Sequence, residues 1–193
     1  MFLHTQRGNN NPYNQDNETT WLDWDKLERN REIFRFFKGM IAFRKSRRMI
    51  GRSRFWREDV RWYGAEGEPD LSHESRSLAY RLSGERFGES DLYVMINATE
   101  NALRFRIQEG EAGDWLRVAD TSLPSPQDIA EAGNDIPLAS LDYEVGARSV
   151  VVLTRRRPTG RAEMRNDRAS ASTIGSKSQR RKDRASTGKP IQA

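Results

Sequence analysis

The chain has no cysteine among its 193 residues, which excludes disulfides, thiolate metal sites and cysteine nucleophiles. Histidine is nearly as scarce. His4 and His73 are the only two, too far apart to read as a ligand pair, so neither a metal nor a cofactor is expected. No apolar run approaches the roughly 20 residues that a membrane-spanning helix needs. The N-terminus shows no basic-then-apolar signal-peptide pattern, so the expectation is a cytoplasmic protein without a membrane partner. The length is also too small for a complete (β/α)8 barrel, which takes about 250 residues. One domain plus appendages is what fits.

Charge is present but unevenly placed. The whole chain carries +5. From Arg155 to Ala193 there are 12 Lys and Arg against 3 Asp and Glu, whereas residues 1–154 hold 21 basic and 25 acidic groups. The basic character therefore belongs to the tail and the part able to fold is mildly acidic. The tail is rich in Ser, Arg and Lys with almost no apolar residue, too little to offset the entropy of ordering, and disorder is expected over 155–193. Arg155-Arg156-Arg157 and Arg180-Arg181-Lys182 suit contact with nucleic acid, acidic surfaces or anionic lipid by counterion release, and contact with nucleic acid would be non-specific and salt-sensitive. No aromatic residue is available there for base stacking, and a weakly constrained extension is preferred to a nucleic-acid partner.

Three regions follow from the patterning. Residues 1–24 are dense in Asn, Gly and other turn formers and read as loop. Asp25-Lys26-Leu27-Glu28 has capping-box spacing, with Asp25 as N-cap and Glu28 reaching back, which predicts a helix from about Asp25 to Arg48. Ile33, Phe36, Phe37, Met40 and Phe43 form one apolar stripe along it, widened by Phe34 and Ile41. From about Phe55 the period changes to two. Strands are predicted over 60–64, 77–83, 92–98, 102–107, 115–119 and 149–154, with Asn97-Ala98-Thr99-Glu100-Asn101 as a hairpin turn. Val150-Val151-Val152-Leu153 is apolar on both faces and suits a central strand. Short strands between turn signals point to an antiparallel β-sandwich. Arg29–Arg57 holds 11 basic residues and one acid, with Phe55 and Trp56 nearby. That is compatible with a nucleic-acid surface, although a solvated helix face and basic connector explain it more simply.

The most distinctive segment is Gly8-Asn9-Asn10-Asn11-Pro12-Tyr13-Asn14-Gln15-Asp16-Asn17-Glu18 with Trp21-Leu22-Asp23-Trp24. Amides and carboxylates hydrogen-bond sugar hydroxyls, and aromatic faces stack on pyranose rings. From Thr5-Gln6-Arg7-Gly8 onward this string resembles the loop after the eighth barrel strand in isoamylase-type glycogen debranching enzymes of the α-amylase superfamily. Asp59-Val60-Arg61-Trp62-Tyr63-Gly64, Pro69-Asp70-Leu71-Ser72 and Ser75-Arg76-Ser77-Leu78-Ala79-Tyr80 resemble the start of the β-domain that follows the barrel in that group. Gly146 to Leu153 resembles its end. The resemblance covers roughly 5–154 and implies a mainly β protein. Residues 1–56 would be the last βα loop and helix of a truncated (β/α)8 barrel, 57–154 a C-terminal antiparallel β-sandwich, and 155–193 a basic tail.

The resemblance also implies what is missing. Retaining glycoside hydrolysis needs two carboxyl groups about 5–5.5 Å apart, and the family holds them on barrel strands that precede the match at Thr5. Met1-Phe2-Leu3-His4 stands where strand eight would end, so that strand is expected to be cut. The chain alone is expected to be inactive, with the barrel supplied by a longer form or by a separate chain. Asp16 and Glu18, two apart in a loop, lack a scaffold that would make them a catalytic pair. In the intact enzyme Asn11, Tyr13, Gln15, Asp16 and Asn17 would contact a branched α-glucan. The residues themselves leave a second reading open, in which the asparagines brace the loop. Trp21 and Trp24 read as packing residues. A non-catalytic glucan-binding or scaffold module is the alternative function.

Overall fold

The computed structural model describes residues 3–51 and 58–155. The tail beyond Arg155 and the Phe55-Trp56 pair lie outside these. Eight strands follow two helices: β1 (Val60–Tyr63), β2 (Ser77–Leu82), β3 (Leu92–Asn97), β4 (Leu103–Arg106), β5 (Trp115–Asp120), β6 (Ile136–Pro137), β7 (Asp142–Val145) and β8 (Ser149–Arg155). Six form one sheet in the order β1-β2-β3-β8-β5-β6, and β4 pairs with β7 in a second. Every pairing is antiparallel, as the alternating patterns predict.

The two sheets close on one core. Tyr63, Ala79, Tyr93, Met95, Val151 and Leu153 point inward from the large sheet and meet Phe105 and Val145 of the small one. Tyr63 stacks on Tyr93 at 5.6 Å, and Tyr93 meets the edge of Trp115 at 5.5 Å. Trp115 is fully buried, and its indole N–H donates to the Glu109 carbonyl at 2.7 Å, so the ring is buried without leaving a donor unpaired. β8 lies between β3 and β5, the central place its two-faced apolarity predicts.

The turn after β3 is not a hairpin. β3 pairs with β2 and β8, while β4 pairs only with β7, so residues 98–102 carry the chain from one sheet to the other. Buried Asn97 braces this crossing. Its Nδ2 donates to the carbonyls of Asn101, Val145 and Gly146, and its Oδ1 accepts from the Thr99 amide and hydroxyl. One side chain from the large sheet thus satisfies backbone groups of the crossing segment and of the small sheet. β6 and β7 were not anticipated: β6 has only two residues, and β7 reads Asp-Tyr-Glu-Val, too short and acidic to stand out.

The predicted single helix is two. α1 spans Asp25–Arg29 and α2 spans Arg31–Lys45. The break is at Asn30, whose side-chain amide donates to the Lys26 carbonyl at 3.0 Å alongside its own backbone N–H. Such local bonding competes with helix continuation. Asp25 is not the N-cap either. Trp24 occupies that position, and the Asp25 amide donates to the Asp23 carboxylate, so the capping acid stands two residues earlier than the spacing implies.

Candidate functional site

Three features outside the core carry chemistry. The first is the Asn-rich loop, held by its own polar groups. Asn9 Oδ1 accepts from the Asn11 amide, and Asn17 Oδ1 from the Thr19 amide, each at 2.9 Å. The Thr20 hydroxyl donates to the Gln15 carbonyl at 2.6 Å. Asp16 accepts the Trp21 indole N–H at 2.6 Å, and Arg7 pairs with Glu18 at 2.9 Å. The bracing role read for the asparagines is therefore real at Asn9 and Asn17. The packing role read for the tryptophans is not: Trp21 and Trp24 are 57% and 65% exposed. Trp21 is fixed through its nitrogen, leaving much of its ring open. Tyr13 is 93% exposed, Gln15 is half-buried, and Asn11, Asp16 and Asn17 are exposed. Asp16 and Glu18 each serve a different partner, one an indole and one a guanidinium, which is not the arrangement of a cooperating carboxyl pair.

The second feature is the outer face of the large sheet. Register places Trp62, Tyr80, Val94 and Val152 in one row and Leu78, Ile96 and Val150 in the next. A two-layer sandwich ordinarily turns polar side chains outward. Here the outer face is apolar and α2 lies beside it. Phe37, Met40, Ile41 and Phe43 face Tyr80, Val94, Ile96 and Val150 across a groove of about 450 Å3. Contact is incomplete. Neither helix buries a single residue, and Phe37 remains 47% exposed. The helix end is better fixed, because the Glu89 carboxylate accepts the amides of Arg48 and Met49 at 2.8 and 3.2 Å. Met49 is buried with Leu82 and Leu92, and Phe43, Ile50, Val60 and Phe87 pack around them.

The third feature was not anticipated from sequence. The other flank of α2 meets the segment between β5 and β6. Arg35 pairs with Asp128, and a Cβ on Gly39 would come within 2.7 Å of Ile129 Cδ1, so glycine permits the close approach there. Next to this contact lies a cavity of about 750 Å3. Lys38, Ala42 and Arg47 form its helix wall, and Pro126, Ile129 and Asp135 are among the residues of the other. Burial raises the Asp135 carboxyl above its ordinary range, partly offset by the Arg47 charge. No periodic signal marks residues 126–135, and the wall exists only once α2 docks.

Elsewhere the titratable groups are structural. Glu109 accepts the Tyr63 hydroxyl and lies 3.1 Å from Arg81, which also holds Asp91 at 2.9 Å. Burial and this carboxylate push the Tyr63 hydroxyl well above the usual phenol range, and burial raises Tyr93 to about 12. Buried Asp120 accepts from Ser122 and from the Tyr143 hydroxyl. Among the described residues no group of acids and histidines is placed to hold a metal ion.

Comparison with known proteins bears on these features. Residues 59–154 match the family model described as isoamylase, C-terminal. Isoamylase 3, chloroplastic, from Oryza sativa subsp. japonica is 35% identical over 155 residues, covering 79% of this chain and 19% of that protein. Glycogen debranching enzyme from Dickeya chrysanthemi is 35% identical over 117 residues, covering 57% of this chain and 17% of that one. Among solved structures, pullulanase type I from Bacillus subtilis str. 168 complexed with maltose superposes with a TM-score of 0.59 at 19% identity, over 81% of this chain and 20% of that chain. This likeness speaks for the fold alone. The chain spans about a fifth of the length of the curated relatives it matches.

Proposed function

Since residues 59–154 belong to the isoamylase C-terminal domain family, we propose that this chain is the C-terminal portion of a debranching enzyme that, in its full-length form, hydrolyses α-1,6-glucosidic branches of glycogen- and starch-type glucans. The observation that carries this reading is the extent of the likeness. The 155-residue alignment with rice isoamylase 3 is longer than the matched span of residues 59–154, so the likeness takes in more than the family domain. The apolar outer sheet face and the half-covered α2 support it as well, since an exposed apolar surface of that kind marks a site of further contact. A barrel packed there, from a longer form or a separate chain, would bury it.

In that setting the Asn-rich loop is the wall that meets substrate. βα loops form the catalytic face of a barrel, and the contact residues proposed are Asn11, Tyr13, Gln15, Asp16 and Asn17. The Asp16–Trp21 bond holds an exposed indole in one orientation, which favours stacking on a sugar ring at low entropic cost. Trp21 therefore joins the set. The carboxyl pair for bond cleavage would come from the barrel.

The assay is purified chain on glycogen, scored for new reducing ends and released linear chains, with retention on immobilised glycogen measured in parallel. No cleavage is expected. Cleavage lost on changing Asp16 or Glu18 would overturn the reading. Retention without cleavage that survives deletion of residues 1–24 would favour the second reading, a glucan-binding module. That alternative is supported by the sandwich having a complete core of its own.

A further inference from the structure

The cavity between α2 and residues 126–135 has no part in the reading above, yet it is built like a ligand site. Its volume of about 750 Å3 lies within the roughly 300–1,000 Å3 typical of pockets that hold small molecules, which combine apolar walls with a few convergent polar groups. Ala42, Phe43, Val118, Pro126 and Ile129 supply the apolar wall.

The polar groups define the class of ligand. Arg35 pairs with Asp128 through Nη2, which balances its charge, while its buried Nε has no hydrogen-bond partner among the described residues. Lys38, Arg47, Glu131 and Asp135 remain around the opening, two cations and two acids, so the site favours neither an anion nor a cation. Arg47 donates to the Thr154 hydroxyl at 3.2 Å, which fixes the guanidinium at the cavity edge. Asp135 forms no salt bridge among the described residues, and burial disfavours its charged form. Hydrogen-bond donors from a ligand would relieve that cost. A neutral, polyhydroxylated molecule satisfies all of this. Its hydroxyls donate to Asp135 and accept from Lys38 and Arg47, and its C–H faces rest on the apolar wall.

We infer that this cavity is a second α-glucan site, distinct from the Asn-rich loop, that takes a short linear stretch of glucose units through Asp135, Lys38 and Arg47. The choice of glucan over another polyol rests on the debranching reading above. The site would hold a neighbouring chain of the same polymer and raise the local concentration of branches.

The test is an NMR titration of the full chain with maltotetraose, with inorganic phosphate as the charged control. Amide shifts are expected in residues 129–135 and 38–47. Asp135→Ala should weaken binding at these positions about tenfold. Ala42→Trp, at an exposed helix position that fills the cavity without touching the core, should abolish it. Tyr13→Ala should leave these shifts unchanged. Shifts confined to residues 11–24 would overturn this site and leave the debranching reading standing. Shifts produced by phosphate and not by maltotetraose would overturn the ligand class. Retention on glycogen, measured separately, reports on the debranching reading itself.

Discussion

The two halves of the described chain are built on opposite terms. The sandwich encloses Trp115, Tyr93, Phe105 and Leu153 between its sheets, each essentially without solvent contact, and the buried side chains of Asn97 and Asp120 are hydrogen-bonded. The helical segment buries only Met49, beyond the end of α2, and neither helix buries a residue. It is held by discrete anchors: Arg35 to Asp128, the Gly39 contact with Ile129, and Glu89 on the amides of Arg48 and Met49. Cooperative stability comes from contiguous buried apolar surface. The sandwich should therefore unfold as one unit, and the helices should open before it.

Substitutions sharpen this contrast, beginning with the core. Trp115→Ala removes the ring that ends the Tyr63–Tyr93 aromatic series and should cost about 3–5 kcal/mol, read as a lower urea midpoint for the whole sandwich. Asn97→Ala strands the Val145 and Gly146 carbonyls at the sheet crossing and should cost about 2–3 kcal/mol. Equal stability of that variant would mean water replaces the amide and the crossing does not depend on it. Glu89→Ala should cost about 1 kcal/mol and act locally, with faster hydrogen exchange at Arg48, Met49 and the end of α2 and no change in β3 or β8. Phe37→Ser alters a half-exposed side chain and should stay within about 0.5 kcal/mol, read as an almost unchanged urea midpoint. A loss like that of Trp115→Ala would show the helix to be part of the core.

The contrast extends to acid. The Arg155 hydrogen bond, then the Glu111 amide, hold the Asp114 carboxyl below its ordinary range. Its stabilising contribution is therefore present above the unfolded value and lost as pH falls through the lower folded one. Asp135 behaves in reverse. Desolvation raises its folded value, so it favours the fold when protonated, and that contribution is lost as pH rises from the ordinary carboxylate range through the raised value. A carboxyl NMR titration should find Asp114 below and Asp135 above the usual range. Arg155→Ala should return Asp114 toward normal, the smallest of these effects.

Much of the sandwich was legible from sequence because its strands alternate cleanly. Leu92, Val94 and Ile96 line one face and Tyr93 and Met95 the other, and Val150 to Leu153 announce a strand apolar on both. What period two does not encode is partner choice. The Asn97–Asn101 turn looks local, and only the distant carbonyls of Val145 and Gly146 reveal it as a crossing. The stripe of α2 was equally clear, but a stripe states that a helix wants cover without naming it. The break at Asn30 depends on one side-chain amide overriding a strong apolar period. In the Asn-rich loop, composition suggested both bracing and sugar contact. The structure assigns Asn9 and Asn17 to bracing, and it moves Trp21 and Trp24 from packing to the surface. The Asp135 cavity had no local signal, since its walls lie some ninety residues apart in the chain.

Native-state hydrogen exchange on the full chain tests the central division most directly. The account predicts that amides of β3, β5 and β8 exchange only through global unfolding, while those of α2 exchange through a smaller opening that denaturant barely affects. Equal protection of α2 and β8, with the same denaturant dependence, would contradict it and make the helix and the sandwich one cooperative unit.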